Sequence, residues 1–293
     1  MYVGRFAPTP SGPLHFGSVI AALASYLDAK SNAGSWLVRI DDLDPPRVRP
    51  GAADTILRSL ELLGLQWDGE LQYQNSRQEA YQAGLELLQE KQLLYPCICP
   101  RKLVKGRPYP GTCRGRKLEP GEGHALRIII GEAAIQLDDR QHGKVDLDLR
   151  QVTGDFIIRR SDTLFAYHLA TVIDDDWQGI TDIVRGGDLL EAAFCQVYLQ
   201  MCLDLPRPGY CHVPVAVDKH GRKISKSDST RDVLAGYPPA ELLLDALRFL
   251  GQEPVQELSG GTVAEIIQWS IENWRIDRIP KDREIRVAAD REE

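Results

Sequence analysis

The chain has 293 residues, enough for one large domain or two smaller ones with a proper core. Hydrophobic residues make up 43% and charged ones 26%, the balance of a soluble globular protein. No apolar run reaches the ~20 residues of a membrane span, and a net charge of −7 argues against general phosphate neutralisation while allowing a local basic patch.

Arg5 opens the first motif after only four residues, which leaves no room for a signal peptide and sets the expectation of cytoplasmic residence without membrane contact. A short strand, Tyr2 to Phe6, runs into a Pro/Gly loop and then a helix from near Phe16. Val19, Leu23, Tyr26 and Leu27 recur on one face of that helix. The first N–H groups of such a helix form a phosphate site. Gly17 admits a ligand close to the backbone, and the His15 imidazole can donate to a phosphate oxygen. Trp36 to Ile40 reads as a strand ending in the acidic loop Asp41-Asp42-Leu43-Asp44. Helices follow from about Gly51, with Ile56, Leu57, Leu60 and Leu63 on one side, and from Ser76, with Tyr81, Leu85 and Leu88 inward. Strand–helix alternation implies a parallel sheet with right-handed crossovers, whose ligands sit beyond the carboxyl ends of the strands.

From Pro96 the composition shifts to prolines and glycines, then to extended runs at Ala125–Ile130 and Lys144–Leu149. This reads as an insertion between two halves of the sheet domain. Phe156–Arg160 and Ile180–Arg185 resume the strands, around the apolar stretch Leu164–Val172. A helix from Asp188 to Cys202 presents Leu190, Phe194, Val197 and Met201 on one stripe. Extended His212–Val217 and a turn at Asp218–Gly221 lead into Lys223-Ile224-Ser225-Lys226-Ser227. The remainder is mostly helical, around Leu242, Leu243, Leu247 and Leu250 and then Val263, Ile266, Ile267 and Ile271. The charged tail Lys281–Glu293 is expected to fray.

Six cysteines fall in two groups. Cys97, Cys99 and Cys113 share a Pro/Gly-rich loop with spacing suited to one ion, and clustered cysteines in a cytosolic protein favour metal over disulfide. A structural zinc is closed by four ligands, and the local candidates for the fourth are Tyr109 and His124. Cys195, Cys202 and Cys211 lack metal spacing and read as core.

His15-Phe16-Gly17-Ser18 and Lys223-Ile224-Ser225-Lys226-Ser227 lie about 200 residues apart, with Arg5-Phe-Ala-Pro-Thr-Pro-Ser-Gly in front. Together they resemble the two signatures of class I aminoacyl-tRNA synthetases, in the glutamyl/glutaminyl branch. The spacing Cys97-x-Cys99, nine residues, Tyr109, three residues, Cys113 is similar to the metal loop of the glutamyl-queuosine tRNA(Asp) synthetases. The length agrees with that branch: about 65 residues follow Ser227, fewer than anticodon-reading domains need.

The resemblance implies an α/β fold, a class I Rossmann-type parallel sheet with an inserted zinc-binding, β-rich subdomain and a helical C-terminal stem-contact segment. Its divisions would be 1–95 and 151–215 for the two sheet halves, 96–150 for the insertion and 216–293 for the lysine loop and helices, with no anticodon-binding domain. It implies a monomer that activates L-glutamate with ATP and Mg2+, without needing tRNA, and transfers it to queuosine in the anticodon loop of tRNA(Asp). His15, Ser18, Lys223 and Lys226 match the catalytic positions. Pro8, Gly12, His15, Gly17, Lys223, Ser225, Lys226 and Ser227 match the ATP site. Arg5, Phe6, Ala7, Pro8, Thr9, Asp41, Tyr167 and Arg185 match the glutamate site. One structural zinc would sit on Cys97, Cys99, Tyr109 and Cys113.

Asp41 departs from the family, which usually has the longer glutamate there; this favours a water-mediated contact with the substrate ammonium. Three rival readings stand beside this one. A truncated enzyme charging the 3′ end of tRNA(Glu) would share every activation residue. A Rossmann adenylyl transferase with a small-molecule acceptor is disfavoured by the amino-acid set Arg5, Asp41, Tyr167 and Arg185. A non-catalytic RNA-binding paralogue would be expected to have lost His15 or Lys226.

Overall fold

The computed structural model describes residues 1–293 except 101, 103, 105–107, 120, 132–133, 225–232 and 288–293. The chain starts with β1 (Val3–Phe6), crosses through α1 (Phe16–Ser31) and returns as β2 (Ser35–Ile40). β2 lies parallel to β1, with Val3 opposite Ser35 and Phe6 opposite Val38. In α1 the expected face is buried, and so are Ile20, Ala22 and Ala24 on other sides. A helix apolar nearly all round needs cover on more than one side; α1 packs on β1 and also on the C-terminal helices described below. Next come α2 (Ala52–Leu62), β3 (Gln72–Tyr73), which extends the parallel sheet beyond β2, and α3 (Gln78–Glu90), with Tyr81, Leu85 and Leu88 buried.

β4 (Leu94–Cys97) and β5 (Ala125–Ile128) pair antiparallel. A hairpin follows, β6 (Ala134–Asp139) and β7 (Gly143–Asp148), then the single turn α4 (Leu149–Val152). β8 (Ile157–Arg159) returns to β5, completing a three-stranded sheet in the order β4-β5-β8. The stretch Leu164–Val172 enters α5 (Tyr167–Trp177), which leads to β9 (Asp182–Gly186), α6 (Leu190–Cys202) and β10 (Gly209–Val213). β9 and β10 run parallel, and β10 pairs in turn with β6, giving the order β7-β6-β10-β9. The β6–β7 hairpin therefore extends the sheet of the second half. The two parallel sheets meet where the Thr181 N–H donates to the Val3 carbonyl at 2.9 Å.

Two expectations need correction. Met201 shares the phase of Leu190, Phe194 and Val197, yet it lies in the last turn of α6 and is 47% exposed. The tail was expected to fray from Lys281, but Glu284–Arg286 forms a strand, β12, parallel to β11 (Val215–Val217). Alternation of Glu284, Ile285 and Arg286 is the period-two pattern of an edge strand, with Ile285 packed on the main core. Between β11 and β12 lie α7 (Pro239–Phe249) and α8 (Val263–Asn273), both packed on α1. Thr262 and Glu265 start α8 with a reciprocal capping box.

A buried ionic cluster joins β1 and β2 to α5. Arg5 Nε and Nη2 donate to the Asp175 carboxylate at 3.2 and 3.0 Å, and Arg39 Nη1 donates to the same group at 2.8 Å. Arg39 Nε reaches Asp41 at 2.9 Å. Next to Asp175, Asp174 accepts from Arg77 at 2.6 Å and from Gln74 and Tyr81, both at 2.8 Å. All four members of the first group are at most 5% exposed. Asp175→Ala leaves two buried guanidiniums without their shared carboxylate and is expected to cost about 3–5 kcal/mol, measurable by urea unfolding.

Candidate active site

Beyond the carboxyl ends of β1, β9 and β10 lies a cavity of about 480 Å³, within the usual range for a small-ligand site. The loop after β1 gives it Phe6, Ala7, Pro8 and Thr9, and Arg5 from the strand itself lines its floor. His15, Gly17 and Ser18 come from the start of α1, Tyr167 from the start of α5, Arg185 from the end of β9, and Lys223 from beyond β11. The structure thus gathers residues as far apart in sequence as Arg5 and Lys223. Gly12 and Asp41 do not line the cavity among the described residues. Ser225, Lys226 and Ser227 lie outside them.

His15 is the N-cap of α1, and its Nδ1 accepts from the Ser18 N–H at 3.2 Å. That bond leaves the proton on Nε2, so the neutral ring is a donor on its other side. No acidic residue occupies the first turn of α1, and the positive end of the helix dipole keeps its attraction for an anion. Gly17 is small for a reason: a Cβ there would come 3.2 Å from the His15 ring and 3.9 Å from the Ile224 carbonyl. The two signature motifs therefore lie side by side at this point. Lys223 Nζ pairs with Asp188 at 2.5 Å, in the turn between β9 and α6.

The two arginines that line the cavity from the strands differ in kind. Arg5 is neutralised by Asp175, whose carboxyl is lifted by burial but held below the usual range overall by Arg5 and Arg39. Arg185 is 4% exposed and has only neutral partners: His212 Nε2 at 3.0 Å, Gln196 Oε1 at 2.9 Å and the Leu189 carbonyl at 3.2 Å. Among the described residues no carboxylate pairs with it, neither nearby Asp182 nor Asp188, which pairs with Lys223 instead. A buried cation with neutral neighbours is a seat for an anionic ligand. Tyr167 is 38% exposed at the cavity mouth, and His168 packs edge-on between it and Phe156. Burial, then Arg185, pushes the His168 imidazole down to about 4.

Arg47 and Asp188 also line the cavity, and neither was among the expected site residues. Asp188 follows Gly186-Gly187 at the end of a strand, a position that could have been noticed. Arg47 follows two prolines in a single 3-10 turn, Pro45–Arg47, which gives no such signal.

A second cluster lies in the Pro/Gly loop. The sulfurs of Cys97, Cys99 and Cys113 all fall within 4.8 Å of one another, and the Cys99 and Cys113 sulfurs are 3.6 Å apart. The Tyr109 hydroxyl lies 3.3 Å from the Cys97 sulfur and 3.5 Å from that of Cys99. Zinc bond lengths require tetrahedral edges of roughly 3.8 Å between sulfurs and roughly 3.5 Å from sulfur to oxygen. The Cys99–Cys113 edge and both edges to the Tyr109 hydroxyl match those lengths. His124 is half-buried and its ring contacts the Glu119 carbonyl at 3.1 Å, away from the thiols. Gly154 fixes Tyr109 from behind: its φ is +62°, and a Cβ there would stand 2.1 Å from the Tyr109 carbonyl oxygen.

Residues 2–108 and 114–275 match the family model described as tRNA synthetases class I (E and Q), catalytic domain. A glutamyl-Q tRNA(Asp) synthetase from Ectopseudomonas mendocina is 49% identical over 289 residues, covering 98% of each chain. One from Pseudomonas aeruginosa is 48% identical over 282 residues, covering 96% of each. The chain belongs to the glutamyl-Q tRNA(Asp) synthetase family. It is an enzyme built on a class I synthetase catalytic domain. A glutamate tRNA ligase from Elizabethkingia meningosepticum shares the fold with a TM-score of 0.81 at 23% identity, over 99% of this chain and 68% of the ligase.

Asp41, where the family usually carries glutamate, is turned to Arg39 and buried. Burial pushes its carboxyl up to about 6 against the pull of Arg39. Because the native pKa lies above the ordinary 3.8, the folded chain holds this proton more tightly than the unfolded one. The contribution of Asp41 to stability is therefore greatest in acid and falls as pH rises toward about 6. Carboxyl-carbon NMR should place its midpoint near that pH, and Asp41→Asn should remove this fall from the stability–pH curve.

Proposed function

We propose that the chain activates L-glutamate with ATP to glutamyl-adenylate, without tRNA, and transfers the glutamyl group to queuosine at the wobble position of tRNA(Asp). The observation that carries the activation half is Arg185, a buried guanidinium with neutral partners on a wall of the cavity that His15 and Lys223 also line. Three of its five N–H groups are engaged, and each terminal nitrogen keeps one for a carboxylate. The side chain of glutamate meets that demand and the neutral amide of glutamine does not. The near-full-length relatives support the choice of acceptor.

In the first step a carboxylate oxygen of glutamate attacks the α-phosphorus of ATP in line, and the bond to pyrophosphate breaks. Charge gathers on the phosphate oxygens, and stabilising it is the main catalytic demand. The N-terminus of α1, the Nε2–H of His15 and the Lys223 ammonium are suited to that role, and Lys226 matches the second lysine of the motif. Mg2+ would arrive with ATP and neutralise part of the triphosphate charge. In the second step a hydroxyl of the queuosine cyclopentene ring attacks the adenylate carbonyl, forming an ester and releasing AMP and a proton. Zinc on Cys97, Cys99, Tyr109 and Cys113 would close the Pro/Gly loop, and no chemical step passes through it.

The deciding assay is transfer of labelled glutamate from ATP onto tRNA(Asp), with and without queuosine, beside tRNA(Glu). Label is expected only on queuosine-containing tRNA(Asp), and prior periodate cleavage of the queuosine diol should abolish it. Label at the 3′ end of tRNA(Glu) would overturn the acceptor, and absence of glutamate-dependent ATP–pyrophosphate exchange would overturn the activation step. Metal analysis should find about one zinc per chain. Cys113→Ala should lose it, Tyr109→Phe should weaken its retention against a chelator, and His124→Ala should keep it.

A further inference from the structure

Three adjacent strands end in one hydrogen-bonded row. On β9 and β10, Arg185 stands directly opposite His212 in the parallel register. On the other side of β10, β6 brings Asp139 beside Tyr210. The row runs from Arg185 Nε to His212 Nε2 at 3.0 Å, and from His212 Nδ1 to Asp139 Oδ2 at 2.6 Å. His212 is fully buried and Asp139 is 1% exposed.

Arginine can only donate, so His212 Nε2 must carry the lone pair and Nδ1 the proton. That is the tautomer Asp139 selects by accepting from Nδ1. Asp139 is itself fixed as an anion, because its Oδ1 accepts from the backbone N–H groups of Gln141 and His142 at 2.9 and 3.0 Å. We propose that His212 and Asp139 are positioning residues for Arg185, an orienting relay that aims the guanidinium at the substrate's side-chain carboxylate without neutralising it. An aspartate bonded directly to Arg185, as Asp175 is to Arg5, would orient the side chain equally well but cancel the charge that selects the ligand. A neutral imidazole between them keeps that anion one residue away.

This proposal rests on Arg185 as the seat of the substrate carboxylate, and the test separates the two. Asp139→Asn keeps an oxygen for the N–H groups of Gln141 and His142. It offers His212 an amide donor in place of an acceptor, which favours the Nε2–H tautomer and sets that N–H against Arg185. In glutamate-dependent ATP–pyrophosphate exchange, this variant should raise the KM for glutamate about tenfold or more and lower the selectivity for glutamate over glutamine similarly, with the KM for ATP within about twofold. His212→Gln, whose amide can accept from Arg185 and donate to Asp139, should stay near wild type, whereas His212→Ala should behave like Asp139→Asn. Nitrogen-15 NMR of His212 should find the proton on Nδ1 in the wild type and on Nε2 in Asp139→Asn.

A folded Asp139→Asn with unchanged glutamate KM and selectivity would overturn the proposal. So would equal rises in both KM values, or a wild-type His212 protonated on Nε2. If Asp139→Asn does not fold, His212→Gln decides: retained glutamate KM supports the relay and a tenfold rise overturns it. A wild type with no glutamate-dependent exchange would sink the functional reading instead, and the NMR tautomer would still decide the relay.

Discussion

The structure depends on how a sheet made for ligands beyond its carboxyl edge keeps its own charges in order. Arg5, Arg39, Asp41 and Asp175 are all buried, and each charge is met by one of opposite sign. Such a cluster gains little over an apolar core of the same volume, but it is unforgiving of a missing member. Its geometric effect is specific: β1 and β2 are tied side by side to α5. That tie fixes where the loop after β1 emerges, and Tyr167 at the head of α5 is carried with it. Everything the cavity offers at its floor inherits this placement.

Against that balanced cluster, Arg185 is the exception. The chain satisfies the hydrogen bonds of this arginine while withholding a counter-ion, using a histidine, a glutamine and a backbone carbonyl. The Lys223–Asp188 pair at the rim is of a third kind, since its members are 45% and 35% exposed and solvent screens them. One small volume therefore holds three electrostatic regimes: neutralised and buried, uncompensated and buried, paired and wet. Only the second favours an anion strongly enough to act as a selector.

Much of this was legible in the residues. The opening strand, loop and helix announce themselves because Val19, Leu23, Tyr26 and Leu27 keep helical spacing behind a Pro/Gly turn, and the three cysteines of the Pro/Gly loop are marked by their spacing, whereas Tyr109 as their companion comes from the family resemblance. What escaped depends on distant partners. α5 starts without a side-chain cap, carries Thr171, Val172 and Ile173 in its middle and ends in Asp174-Asp175-Asp176, so neither propensity nor an apolar stripe marks it. Two of those aspartates look like solvent-facing charges until Arg5, Arg39 and Arg77 are placed around them. Asp139 is read as part of an insertion because its use is set by strand order, with His212 73 residues away in sequence. β12 is a three-residue edge strand in a charged tail, and nothing local separates it from a frayed end.

That last strand has a consequence for the order in which the site comes into being. β11 supplies Val215 and Ala216 to the cavity and leads directly to Lys223, and its outer edge is paired by residues 284–286. In chain order those residues follow every part of the site described above. A nascent chain that has already made the His15 loop, the Arg185 strand and both C-terminal helices still has an unpaired edge on the wall that carries its lysine. The cavity wall made by β11 is therefore completed only after both C-terminal helices have been made, when residues 284–286 pair its edge.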